Sequence, residues 1–190
     1  MNVSLNTSET VLVVGLGNPG PHHAGTRHNI GYDVIDELLG RASGMPATLS
    51  THKKTNAMVA ELAAGRLGTG KVVLATPRTF MNLSGGPVSA LAKYFSVPTA
   101  NVVVIHDELE LDFGVIKART GGGDHGHNGL KSCTTSLGSK DYTRVAMGIG
   151  RPPGRMDPAA FVLKPFGKQE QADIPIMCAD AADEVERMLK

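Results

Sequence analysis

The 190-residue chain has no tryptophan, and aromatic side chains make up only 4% of it, so any core must be aliphatic. Cysteine is as scarce. Cys133 and Cys178 lie far apart and outside any metal-ligand spacing, which excludes a zinc ribbon or a disulfide framework. They read as ordinary thiols of a reducing compartment. No apolar run follows a basic leader, and none approaches the ~18 residues a membrane span needs. A cytoplasmic protein with no membrane contact is expected. There is no internal repeat and no low-complexity linker. There is no large charge excess either, the formal net charge being +1. With 41% hydrophobic and 19% charged residues, a globular core is expected and disorder is not.

The length suits one domain. Residues 1–9 are polar and aperiodic and read as a flexible tail, with a single domain over 10–190. Thr10 to Gly17 is a short apolar run rich in β-branched residues, the pattern of a strand buried on both faces. Ile30, Val34, Ile35, Leu38 and Leu39 recur at helical spacing, so Asn29 to Arg41 reads as an amphipathic helix. Asn56–Ala64 and Lys71–Ala75 read as strands joined by a hairpin-like connection. Val88, Leu91, Ala92 and Phe95 mark a second helix. Asn101–Ile105, Phe113–Arg119 and Thr143–Ile149 read as further strands. Asn128 can cap a helix to about Leu137, and Asp173 starts a C-terminal helix through Leu189. Strands alternating with helices argue an α/β fold, a single twisted mixed sheet, largely parallel, sandwiched between helices. In such sheets ligands sit at the carboxyl ends of strands.

Polar clusters follow those strand ends. They are Asn18 with Thr26-Arg27-His28-Asn29, then Thr79-Phe80-Met81-Asn82-Leu83-Ser84-Gly85, then His106-Asp107-Glu108, and last the loop from Thr120 to Ser132. That loop packs four glycines into Gly121–Gly126 around Asp124 and His125, and ends in His127, Asn128 and Lys131. Glycine permits positive φ and close backbone approach, at an entropic cost. A loop that accepts this cost beside His and Asn reads as a site.

No convincing nucleophile is present: there is no Gly-x-Ser-x-Gly, and Cys133 falls within a predicted helix. A histidine oriented by an aspartate can instead take a proton from water. Asparagine amides can donate to a carbonyl oxygen as it gains charge. The kit suits metal-free ester hydrolysis. Two rival readings use the same residues. Gly15-Leu-Gly-Asn-Pro-Gly meets the dinucleotide pattern Gly-x-Gly-x-x-Gly, but Pro19 is awkward there and the helix begins late. His125-x-His127 with His106 and Asp107 could bind a divalent metal, though the spacing is not diagnostic. His22, His23 and His52 read as surface side chains.

Taken in order, Gly-Leu-Gly-Asn-Pro-Gly, Thr-Arg-His-Asn, Thr-Phe-Met-Asn-Leu-Ser-Gly, His-Asp-Glu and Gly-Gly-Gly-x-x-Gly-His-Asn-Gly-Leu-Lys-Ser strongly resemble the bacterial peptidyl-tRNA hydrolases. The resemblance spans nearly the whole chain from Val11. It implies a monomeric α/β enzyme that hydrolyses the ester between a stalled peptide and the 3′-terminal ribose of tRNA, with no metal and no cofactor. His28 is then the catalytic base, Asp107 its orienting carboxylate, and Asn18 positions the water or the peptide end. Asn82 and Asn128 hold the substrate, and Met81 lines the pocket. Phe80, Asn29 and His127 complete the implied substrate-binding set.

A tRNA partner gives meaning to the span from Val115 to Arg155, where seven basic side chains face only Asp124 and Asp141. Phosphate contacts supply affinity without reading sequence. Lys117, Arg119, Lys131 and Arg144 are the candidates. By the resemblance, Arg119 belongs to a clamp on the tRNA 5′-phosphate whose second arginine falls at Ala146. Arg144, two residues earlier on the same strand face, is expected to substitute. Two further readings stay open: a non-catalytic RNA-binding relative on the same scaffold, and an α/β esterase for another small substrate.

Overall fold

The computed structural model describes residues 3–190. Seven strands form one sheet in the order β2-β3-β4-β1-β5-β7-β6. They are β1 (Val11–Gly15), β2 (Ser50–His52), β3 (Ala57–Leu62), β4 (Val72–Pro77), β5 (Val102–Glu108), β6 (Ile116–Thr120) and β7 (Thr143–Gly148). The four central strands β4, β1, β5 and β7 run parallel. β2 and β3 join one edge antiparallel, and β6 joins the other. The sheet is therefore mixed and largely parallel, as the sequence pattern predicts. Edge strand β2 carries no apolar pattern, being exposed or half-buried throughout, and periodicity alone does not find it.

Every residue of β1 is buried, and its side chains divide between two cores. Val11 and Val13 pack with α1 (Ile30–Gly40) and α6 (Ile174–Met188), through Val34, Ile35, Leu38, Ala181 and Val185. Leu12 and Val14 pack on the other face with α2 (Gly85–Tyr94) and α3 (Asn128–Leu137), through Val88, Leu91, Leu130 and Cys133. The two-residue strand period puts alternate side chains on opposite faces, which is why these runs are apolar throughout. Each fully buried Leu or Val of these faces is worth ~1.5–3 kcal/mol of transfer free energy. Two short helices, α4 (Pro158–Val162) and α5 (Lys168–Gln171), precede α6.

The stretch before β1 reads as a loose tail, yet much of it is tied down. Val3 and Leu5 pack against the first core. Asn101 accepts from the Asn6 backbone at 2.9 Å and donates to the carbonyls of Asn6 and Thr10. The first two residues of that predicted tail lie outside the described residues.

Chain order sets the position of the site. The path from β1 leads to β4 on one side of it, and the path from β4 crosses to β5 on the other. This is a topological switch point at the carboxyl ends of β1, β4 and β5. Gly31, in the first turn of α1, lets the helix approach those ends. A Cβ there would stand 2.6 Å from the Ile105 carbonyl oxygen and 2.6 Å from the Leu16 nitrogen.

Candidate active site

A 3-10 turn over Arg27–Asn29 leads into α1 and carries His28 to the end of β5. His28 Nδ1 lies 2.8 Å from Oδ2 and 2.9 Å from Oδ1 of Asp107. His127 Nε2 lies 2.8 Å from the same Oδ1. The Asp107 side chain is 2% exposed, and those of His28 and His127 are 12% and 8% exposed. Burial alone would raise the Asp107 carboxyl. The electrostatic attraction and hydrogen bonds of His127 and His28 outweigh it, so the group titrates below the ordinary carboxylate range.

The tautomers follow from the partners. The Leu130 backbone N–H donates to His127 Nδ1 at 3.2 Å. Nδ1 of His127 is thus an acceptor, and Nε2 carries the proton given to Asp107. His28 donates from Nδ1 to the carboxylate, which leaves its Nε2 lone pair free. The donor atoms of His28, Asp107 and His127 lie within 4.8 Å of one another, a grouping that could hold a metal ion. Both ring nitrogens that face Asp107 carry protons in this network, so neither offers a lone pair there. The geometry suits a base oriented by a carboxylate.

His127, not Asn128, is the N-cap of α3, its ring accepting from Leu130. Asn128 is exposed and free to reach a substrate. His127 touches the cavity, but its polar atoms serve Asp107 and the helix. Asn29 departs further from the expected substrate contact. It is 2% exposed, and its amide is spent on Asn18, accepting from the Asn18 nitrogen and donating to the Asn18 oxygen, each at 2.8 Å. It therefore positions Asn18 and does not face a substrate. Asn18 Oδ1 in turn accepts from the Met81 nitrogen at 2.7 Å, which leaves Nδ2 as a donor for the site. Met81 is buried against Gly129, Phe80 is 58% exposed beside His23, and Asn82 is exposed on the same 3-10 turn.

A cavity of about 290 Å³ opens beside this group. His28, Asp107, His127 and Asn128 line one side, and Asp157, Pro158, Ala159 and Val162 the other. At its rim the Glu108 carboxylate, 6% exposed, meets His125 Nδ1 at 2.7 Å. His125 sits at φ 50°, a left-handed conformation that disfavours a side chain, and this hydrogen bond helps to hold it there. The sequence showed His125 and Glu108 individually, and nothing in their spacing pairs them.

His106 is fully buried. Its Nδ1 lies 2.8 Å from the Asp107 carbonyl and its Nε2 has no partner. Burial, with His127 adding, pushes it down to about 3, so it is a neutral core residue and no base. Burial likewise pushes the Cys133 thiol up to about 12, in line with the reading that it is no nucleophile.

The basic candidates separate. Lys117 and Arg119 stand on edge strand β6, opposite Ala146 and Arg144 respectively, and therefore on the face that α3 covers. Lys117 is exposed, and Arg119 is half-buried with Nη2 donating to the Gly123 carbonyl at 2.8 Å. Lys131 is exposed on α3. Arg144 is 1% exposed. Its guanidinium lies 4.3 Å from the Tyr142 ring centroid and donates to the Lys140 carbonyl. Strand β7 lies inside the sheet, so sharing a face with Ala146 buries Arg144 under α3. Contrary to the expectation from its spacing, the Arg144 guanidinium is inside the fold and is no direct phosphate contact.

The fold and site define an α/β protein with a histidine-aspartate pair and donor amides at the carboxyl end of a largely parallel sheet. The profile of the family described as peptidyl-tRNA hydrolase matches residues 12–190. Peptidyl-tRNA hydrolase 1 of Corynebacterium glutamicum is 62% identical over 180 residues, covering 95% of this chain and 96% of that one. Peptidyl-tRNA hydrolase of Mycobacteroides abscessus is 56% identical over 184 residues, covering 97% and 91%. The crystal structure of peptidyl-tRNA hydrolase from Acinetobacter baumannii superposes with a TM-score of 0.86 at 31% identity, covering 98% of this chain and 91% of that one. This chain belongs to the peptidyl-tRNA hydrolase family.

Proposed function

We propose that this chain hydrolyses the ester joining a peptide to the 3′-terminal ribose of tRNA, with water activated at Nε2 of His28. The observation that carries the mechanism is the 2.8 Å contact of His28 Nδ1 with a buried carboxylate that a second histidine also holds. The water proton passes to Nε2 as the oxygen attacks the ester carbonyl. Asp107 steadies the imidazolium that forms. The carbonyl oxygen gains charge, and the amides of Asn128, which lines the cavity, and of Asn18 are assigned the role of donating to it. When the tetrahedral species collapses, the C–O bond to the ribose breaks. The leaving oxygen takes the proton from Nε2, giving a free peptide acid and free tRNA. Met81, Phe80 and Asn82 lie outside the lining of that cavity, on the 3-10 turn whose Met81 nitrogen is held by Asn18, and are assigned to holding the acceptor end.

Lys117, Arg119 and Lys131 form the phosphate-facing side, which gives affinity without base reading and suits an enzyme that accepts many tRNAs. We place the protein in the cytoplasm as a monomer. Among the described residues no helix is long and apolar enough to cross a membrane.

The test is release of N-acylated amino acid from N-acyl-aminoacyl-tRNA in excess chelator, by wild type and by His28→Ala. Rapid metal-independent release, reduced ~10²–10⁴-fold or more in the variant, is expected. A variant at near wild-type turnover removes His28 from the mechanism. No release by wild type, with tRNA still bound in a salt-dependent way, moves the protein to the non-catalytic RNA-binding reading.

A further inference from the structure

Three consecutive residues of the turn before α1 point to three different tasks. His28 turns to Asp107 and Asn29 to Asn18. Arg27 turns the opposite way, into the C-terminal quarter of the chain, and the mechanism above gives it nothing to do. It is 8% exposed. Its Nη1 donates to the carbonyls of Pro165 at 2.9 Å, Phe161 at 3.3 Å and Lys164 at 3.4 Å. Its Nη2 pairs with Glu170 Oε1 at 3.2 Å. The guanidinium carbon lies 3.9 Å from the Phe161 ring centroid and 5.5 Å from that of Phe166. The Arg27 backbone donates to the Lys164 carbonyl at 3.1 Å, and Thr26 bridges to Pro165.

These carbonyls lie at and just beyond the C-terminal end of α4, where a helix lacks internal donors. The same helix forms the far wall of the 290 Å³ cavity through Pro158, Ala159 and Val162, across from His28. α4 has five residues and cannot hold a position by its own hydrogen bonds. A planar fork that reaches several acceptors and stacks on a ring is something arginine does and lysine does not.

We infer that Arg27 is a positioning residue for the reaction: it fixes the α4 wall at a set distance from the imidazole of its own neighbour, His28. Because base and anchor are adjacent in one short turn, the width of the cavity is built into the Arg27–His28 dipeptide. This rests on the hydrolytic reading of the site. The part of the substrate held by the wall is ground-state binding, so its loss raises KM more than it lowers kcat.

The experiment measures kcat and KM for N-acyl-aminoacyl-tRNA, with backbone amide exchange, for wild type, Arg27→Met, Arg27→Lys and Glu170→Gln. For Arg27→Met, a ~10-fold or greater rise in KM with kcat within ~3-fold is expected, because removing uniform binding leaves kcat unchanged. Arg27→Lys should recover only part of it. Exchange should quicken across 159–164 and stay slow in β1 and β5. If Arg27→Met fails to fold, Glu170→Gln decides, with a smaller rise in KM and the same local exchange change expected. A fall in kcat at unchanged KM overturns the inference, and so does quickened exchange at α4 with both constants unmoved. A wild type that releases nothing sinks the hydrolytic reading instead, and the exchange data then test the anchor by themselves.

Discussion

The backbone N–H of Leu130 points at Nδ1 of His127, 3.2 Å away, and so fixes which nitrogen of that ring faces Asp107. A helix terminus thereby sets the protonation pattern of the histidine-aspartate group proposed as catalytic. The consequence appears when Asp107 is changed to Asn. The His127 Nε2–H holds the amide oxygen on its side, which turns the amide NH₂ toward His28 Nδ1. His28 must then carry its proton on Nε2 and cannot act as a base. The Asp107→Asn enzyme should lose ~10⁴-fold in kcat, the scale of a wrong-tautomer defect, while retaining its fold by circular dichroism. Adding His127→Ala frees the amide to turn over and should return part of the rate. An Asp107→Asn enzyme within tenfold of wild type would refute this assignment.

Stability should depend on pH through groups outside the reaction. Asp33 on α1 is pushed up to about 6 by burial and by Asp36. The folded chain keeps that proton longer than the unfolded one, so the stability it contributes is present below pH ~4 and lost as pH rises through about 6. Asp33→Asn should therefore be more stable than wild type at neutral pH and little different near pH ~4. His106 has the opposite sense. Its pKa is depressed to about 3, so its contribution is full above pH ~6.5 and is lost as pH falls from there through about 3. Urea denaturation of both proteins across this range measures the difference. An Asp33→Asn protein less stable at neutral pH would contradict it.

Gly31 tests how closely α1 must approach the sheet. A methyl there meets backbone atoms of Leu16 and Ile105, which cannot rotate away. Gly31→Ala should cost ~3 kcal/mol, the upper part of the overpacking range. That corresponds to a fall of ~6–12 °C in Tm for a chain of this size. Thermal denaturation reads it, and a variant as stable as wild type would show that the helix has room to shift.

The proposed phosphate-facing side predicts a salt signature. Lys117→Ala and Lys131→Ala should each weaken tRNA binding about uniformly across tRNA species and lower the log–log salt slope by ~1. Arg144→Gln should leave the slope unchanged and reduce stability, because that guanidinium packs on Tyr142 inside the fold. Filter binding at several salt concentrations separates the two. A slope change for Arg144→Gln would mean the side chain leaves its buried position on binding.

The sequence by itself determined the layers and the inventory of the site. Apolar runs such as Val11–Val14, short, β-branched and closed by glycine, read as strands covered on both faces, and the i, i+3, i+4 pattern from Ile30 reads as one buried helix stripe. His28, Asp107 and the asparagines were legible because turns after strand ends expose polar side chains together. Only the tertiary structure decided which of them line the cavity and which are spent on partners inside the fold. Asn29 and Asn18 are alike in composition, yet one locks the other, because hydrogen-bond partners come from elements far apart in the chain. Arg144 reads as a surface cation until register places β7 inside the sheet and α3 over it. Arg27 reads as an unassigned part of a motif until residues 161–170 fold back onto it. Residue type and spacing fix what a side chain can do. Burial and partners, which depend on contacts more than a hundred residues apart in the case of Arg27 and Pro165, fix what it does.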